Sequence, residues 1–148
     1  MSGDGAANAP VIRIAAALIE DDRGRLLLVR KAGTRAFMQA GGKIEPHESA
    51  AQALAREIEE ELGLRLPPGR PEYLGAFTAP AANETGRMVD AECFYISADW
   101  LGADRSVTPA AEIEEIAWVA PHDVSLPLAP LTRDHLLPIA RQRFGRAS

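Results

Sequence analysis

The stretch from Gly42 to Leu64, GKIEPHESAAQALAREIEEELGL, most constrains what this chain can fold into. Pro46, Glu48 and Ser49 signal a helix start, and Gly63 signals its stop. At about 100° per residue, Leu54, Ala51, Ile58, Leu62 and Ala55 share one apolar stripe, which predicts a face packed on a core. Glu57, Glu60 and Glu61 fall on a neighbouring side beside only Ala50 and Ala53, while Gln52 and Glu59 point away from both. Like charges three and four residues apart destabilise a helix. A merely solvated helix would interleave such acids with Lys or Arg. These crowd one face, so a cation is expected there.

The segment also follows, without a gap, the pattern G-x5-E-x7-R-E-U-x-E-E-x-G-U, where U is a bulky aliphatic. Gly42, Glu48, Arg56, Glu57, Ile58, Glu60, Glu61, Gly63 and Leu64 carry it. On these residues the chain resembles the MutT-like Nudix hydrolases. The resemblance implies an α/β fold, the Nudix α/β/α sandwich with a mixed central sheet. It implies metal ligation by Glu57, Glu60 and Glu61, with the main-chain carbonyl of Gly41 or Gly42 as a further ligand. Arg56 would orient Glu57 through a charge-assisted hydrogen bond, and Glu48 would brace the loop. Where family members commonly carry Leu-Pro-Gly-Gly, this chain has Gln39-Ala40-Gly41-Gly42, read as a turn.

Hydrolysis of a phosphoanhydride needs charge neutralised on the phosphoryl oxygens and a water held in line. Mg²⁺ suits both, being hard and content with a few carboxylates plus substrate phosphates; Mn²⁺ is an expected substitute. For the general base, Glu57 ranks first because it is close to any metal-bound water. Glu112 ranks second, at a spacing before the last strand that the family uses. It is expected to reach the site only when substrate closes its loop.

The 148 residues suit one domain with a real core, residues 10–148, behind a disordered tail at 1–9. Net charge is −5, and Gly42–Leu64 alone holds six acids against two bases. The near-balanced remainder argues against a polyanion-binding surface. The expected partner is therefore a small nucleotide, not a nucleic-acid polymer or a membrane, and the chain a monomer or homodimer. No apolar run approaches a membrane span, and the N-terminus lacks the pattern of a secretory signal. The single cysteine, Cys93, excludes an internal disulfide, suits a cytoplasmic setting and reads as a buried thiol.

Strands are expected at residues 11–20, 25–31, 72–80, 88–97 and 112–119, with a further one beginning at 64–66. Val89, Ala91, Cys93 and Tyr95 should share one side. A loop is expected from Trp100 to Ala111, and a final helix from Arg133 to Phe144, capped by Thr132 and kinked at Pro138. Arg13, Arg35 and Lys43 are candidates for phosphate contacts, and Phe37, Phe77, Tyr95 and His135 for base stacking. Pro80 resembles a proline of ADP-ribose-cleaving relatives. His47, His122 and His135 have no zinc-like spacing. The leading reading is hydrolysis of a nucleoside diphosphate linked to another moiety, such as a nucleoside triphosphate or ADP-ribose. A non-hydrolytic nucleotide-sensing module and a metal-free acidic interaction face are the alternatives.

Overall fold

The computed structural model describes residues 11–67, 69–97 and 109–143. The tail at 1–9, most of the loop after Trp100 and the end of the last helix at Phe144 lie outside them. Six strands build one mixed sheet: β1 (Val11–Glu20), β2 (Leu26–Lys31), β3 (Ala40–Lys43), β4 (Glu72–Pro80), β5 (Met88–Ser97) and β6 (Ile113–Val119). The order is β4-β5-β1-β2-β6, with β3 also paired to β1. Only β1 and β5 run parallel among these pairs.

Side chains alternate across a strand, and a strand buried on both faces reads as an unbroken apolar run. In β1, Ala15, Ala17 and Ile19 face α1 (Ala50–Leu62), whereas Ile12, Ala16 and Leu18 face the C-terminal helix. In β5, Val89, Ala91 and Cys93 join that second core, with Tyr95 packed against it, as the alternation predicts. These two layers complete the α/β/α sandwich.

The sheet forks beside β1. Residues Ile14 to Ala17 pair with Lys43 to Ala40 of β3, while Glu20 at the far end pairs with Leu26 of β2. Val29 bridges to Met38 just before β3, and the two strands then diverge. A cleft opens between Lys31, at the end of β2, and Gly42–Lys43 on β3.

Helix α1 starts on a capping box: Ser49 Oγ accepts from the Gln52 N–H at 3.1 Å, and the Gln52 carboxamide oxygen accepts from the Ser49 N–H at 2.8 Å. It ends at Gly63, whose N–H returns to the Glu59 carbonyl. Its buried face is Ala53, Leu54, Ile58, Glu61 and Leu62. The expected stripe is therefore rotated: Ala51 is exposed and Ala53 buried. The cause is β3, which packs on the carboxylate side of the helix and draws Glu61 inward.

Three further expectations are corrected. Gln39-Ala40-Gly41-Gly42 is not a turn, because Ala40–Lys43 is strand β3 held by β1. Residues 64–66 form no strand, as Gly63 and the prolines that follow remove them from the sheet. Thr132 is not a cap. The chain is already helical at Pro130, and Thr132 opens a π-helical turn, Thr132–Leu136, that runs into α2 (Leu137–Arg143). Pro138 has no N–H and its ring crowds the preceding turn, and a π turn accommodates such a defect.

Ile58 is fully buried between α1 and the sheet. Ile58→Ala should lower unfolding free energy by roughly 2–5 kcal/mol through the cavity it leaves. Urea denaturation should show this as a lower midpoint at unchanged slope.

Candidate active site

The fork and the end of α1 enclose a cavity of about 490 Å³, lined by Lys31, Gly42, Lys43, Glu57, Glu61, Asn83, Glu84 and Glu112 among others. Its floor depends on two glycines. Gly41 has φ +136°, and a Cβ there would overlap the Ala15 carbonyl oxygen, so only glycine lets β3 lie this close to β1. At Gly42 a Cβ would overlap the Glu57 carboxylate. The missing side chain is the space Glu57 occupies.

Arg56 organises the acids. Its Nε and Nη2 bond both oxygens of Glu48, at 2.6 and 2.8 Å. Nη2 also reaches the Lys43 carbonyl at 3.0 Å, and Nη1 donates to Glu57 Oε2 at 2.9 Å. Bidentate guanidinium–carboxylate pairs fix geometry as well as charge. The same Nη1 also lies 3.5 Å from Glu60, one turn along the helix. Hydrogen bonds from Arg56, then from the Glu45 N–H, hold the Glu48 carboxyl down to about 2. Glu48 in turn pushes the Arg56 guanidinium further up.

Glu61 is 6% exposed. Its Oε1 accepts from the Gly41 N–H at 3.1 Å, and among the described residues nothing else hydrogen-bonds its carboxylate. Burial pushes this carboxyl up to about 7, opposed by the Gly41 bond and by Lys31, and reinforced by the charges of Glu57 and Glu112. Glu112 also lines the cavity. Its turn is tied down from both sides, because Ala110 N–H donates to the Glu61 carbonyl and Ala32 N–H to the Glu112 carbonyl, at 2.9 and 2.8 Å. Ala111 between them takes φ +53°. Glu112 thus stands at the cavity without the loop closure that the sequence suggests.

The structure brings Glu57, Glu61, Glu112, Gly42 and Lys43 to one cavity, and Gly41 to the smaller cleft that adjoins it. It leaves Glu60 exposed and outside the lining. Arg13 pairs with Glu92 instead, and Arg35 lines neither this cavity nor the cleft beside it. None of the four candidate aromatics lines either one. Phe37 is buried, Phe77 stacks on His135 with centroids 5.2 Å apart, and Tyr95 lies under Arg143. Lys31, Gln39 and Asn83 escape sequence reasoning because each comes from a separate element. Gln39, polar in an otherwise apolar extended segment, is the one that carried a signal.

The NUDIX domain profile matches residues 10–140 of the chain. The chain belongs to the Nudix family. It is 35% identical over 127 residues to the CTP pyrophosphohydrolase of Escherichia coli K12, covering 81% of this chain and 84% of that protein. It is 33% identical over 114 residues to the nucleoside triphosphatase NudI of Escherichia coli, covering 72% and 80%. The crystal structure of a MutT NUDIX hydrolase from Burkholderia pseudomallei superposes with a TM-score of 0.69 at 25% identity, over 90% of this chain and 98% of the other. The chain is a Nudix hydrolase, and the family's reaction is hydrolysis of nucleotide pyrophosphate bonds with divalent ions. Among the described residues, no helix is long and apolar enough to cross a membrane.

Burying Glu61 has a pH signature. A carboxyl raised by folding takes up a proton on folding, so its contribution is favourable below the unfolded pKa near 4.5 and is lost as pH rises towards about 7. Metal-free protein should therefore lose on the order of a few kcal/mol across that window. Glu61→Gln should remove the loss, visible as a flatter melting temperature between pH 5 and 8 in chelator.

Proposed function

We propose that this Nudix hydrolase is a Mg²⁺-dependent nucleoside triphosphate pyrophosphohydrolase, releasing a nucleoside monophosphate and pyrophosphate, with Mn²⁺ able to substitute. The observation that carries the proposal is the convergence of Glu57 and Glu61 on Gly41–Gly42 in a cavity that adjoins an apolar cleft. The names of the two curated relatives favour a triphosphate over ADP-ribose. A small-molecule substrate and a cytoplasmic setting accord with the acidic cavity and the single buried thiol.

The donor set fits a divalent ion. Glu61 offers a buried carboxylate oxygen without a partner among the described residues. Glu57 offers Oε1, since Arg56 holds only Oε2. The Gly41 carbonyl is the proposed third ligand. Glu60 joins them by swinging its half-exposed side chain off Arg56. Among the described residues, no three Asp, Glu, His or Cys side chains stand close enough to hold an ion unaided. Main chain, water and phosphate oxygens would complete the shell, as hard cations in phosphate sites accept. When bound, such an ion supplies positive charge to the phosphoryl oxygens and acidifies water.

The chain's own residues do the rest. Lys31 and Lys43 line the cavity as charges for the phosphates. Arg56 clamps one Glu57 oxygen, so the other, which carries two lone pairs, would hold the ion with one and accept a proton from the attacking water with the second. The water oxygen bonds to phosphorus as the bridging P–O bond breaks. The bond that breaks joins the α- and β-phosphates, and the bridging oxygen departs with pyrophosphate if the water adds to the α-phosphorus, or with the nucleoside monophosphate if it adds to the β-phosphorus. Glu112, which also lines the cavity, is the competing base.

A panel of nucleoside triphosphates and ADP-ribose, with and without Mg²⁺, tests the proposal. Hydrolysis of ADP-ribose in preference to every triphosphate, or turnover in chelator, would overturn it. Glu61→Gln should cut the rate by orders of magnitude while the fold persists by circular dichroism. For the base, Glu57→Gln should cost about 10²–10⁴ in rate at saturating Mg²⁺ and remove the acidic limb of the rate–pH profile. If Glu112→Gln removes that limb instead, the proton goes to Glu112.

A further inference from the structure

Beside the acidic cavity lies a smaller cleft of about 110 Å³, on the other face of β3, walled by Ile12, Ile14, Met38, Gln39 and Val89 and by the β4–β5 loop. Lys31, Gly42 and Lys43 line both spaces, so a molecule with phosphates in one can place its other end in the next. Gln39 is the unusual member of this wall. It is 4% exposed and shares the lining with Ile12, Ile14, Met38 and Val89.

The orientation of that carboxamide follows from Thr132. The Thr132 hydroxyl accepts from the Gln39 N–H at 3.3 Å and donates to Gln39 Oε1 at 2.6 Å, a length that suits O–H···O. With the amide reversed, the hydroxyl would face two donors and, among the described residues, its own proton would have no acceptor. Oε1 is therefore committed to Thr132. Nε2 is left with two N–H donors and no partner among the described residues. A buried donor without an acceptor is costly, and native structures nearly always supply one.

We propose that Gln39 Nε2 is the donor that reads the base of the substrate, and that the base is a pyrimidine presenting its acceptor edge. The inference rests on the reading of the adjoining cavity as the phosphate site. Aliphatic walls suit the faces of a planar ring, and the lone donor pair selects an edge bearing a carbonyl oxygen or an unprotonated ring nitrogen. Size selects the ring. A cavity of about 150 Å³ encloses benzene, so this open cleft of about 110 Å³ holds most of one six-membered ring and leaves more of a fused purine outside. A site built to hydrogen-bond its ligand discriminates strongly against one that leaves the buried group unpaired.

The test is calorimetric titration of CMP, UMP, AMP, GMP and ribose 5-phosphate, in Mg²⁺, into wild type, Gln39→Met and Gln39→Glu. Gln39→Glu, titrated at pH 8 or above so that the buried carboxyl is ionised, keeps the acceptor for Thr132 and removes the donor, which separates reading of the base from support of the fold. Wild type should bind CMP or UMP more tightly than ribose 5-phosphate and than either purine nucleotide. Both variants should lose about tenfold of the pyrimidine affinity and leave ribose 5-phosphate binding unchanged. Unchanged pyrimidine affinity in Gln39→Glu, or equal or tighter binding of purines by wild type, would overturn the proposal. Pyrimidine binding that depends on Gln39, in a protein that hydrolyses no triphosphate, would sink the hydrolytic reading alone. Turnover of triphosphates with binding indifferent to Gln39 would sink this one alone.

Discussion

Arg56 is the contact on which the site depends. A single guanidinium gathers the loop before α1 through Glu48, the end of β3 through the Lys43 carbonyl, and its own helix through Glu57. Three neighbouring pieces of chain thereby acquire one geometry. Lysine could supply the charge but not the planar fork, which here spends four donor directions on fixed acceptors. The like charges along α1 are tolerable because this cation lies among them. The negative potential that remains is concentrated on the cavity side, where Glu61 is too buried to share it with solvent.

The second constraint is the fork in the sheet. Strand β3 is held by β1 on one side, while its other edge has parted from β2 beyond the bridge at Met38. Backbone groups on a free edge need partners. The Gly41 N–H finds one in the Glu61 carboxylate, so an edge that would otherwise invite another strand becomes part of a binding site.

Much of this was legible in the sequence, for a physical reason. β1, buried on both faces, leaves a long apolar run, β5 an alternating one, and β4, a mostly exposed edge strand, is bounded by turn residues, so all three were readable to their end residues. The box motif located Arg56, Glu57 and Glu61 because their spacing is local to one helix. The rotation of that helix was not local. Ala53 and Glu61 are buried, and Ala51 is not, because β3 docks against one side, and nothing within α1 encodes that. Thr132 misled for a similar reason. A threonine before an amphipathic run reads as a cap, yet its hydroxyl is committed to Gln39, 93 residues away in sequence. Glu112 looked remote because alanines and a proline surround it, whereas two main-chain bonds hold it at the cavity.

The two faces of the β1–β3 pair carry different properties. Glu57 and Glu61 approach from the helix side, with Ala15, Ala17 and Ala40 beneath them. Ile12, Val89 and Gln39 belong to the other side. In a pleated strand, neighbouring residues alternate between these faces, so a substitution on one leaves the other's packing largely undisturbed. Bond-breaking and ligand choice can then drift independently over evolutionary time: the cleft can be remodelled residue by residue while the acidic helix stays as it is. Such a partition lets one scaffold serve many related molecules without reinventing its reaction.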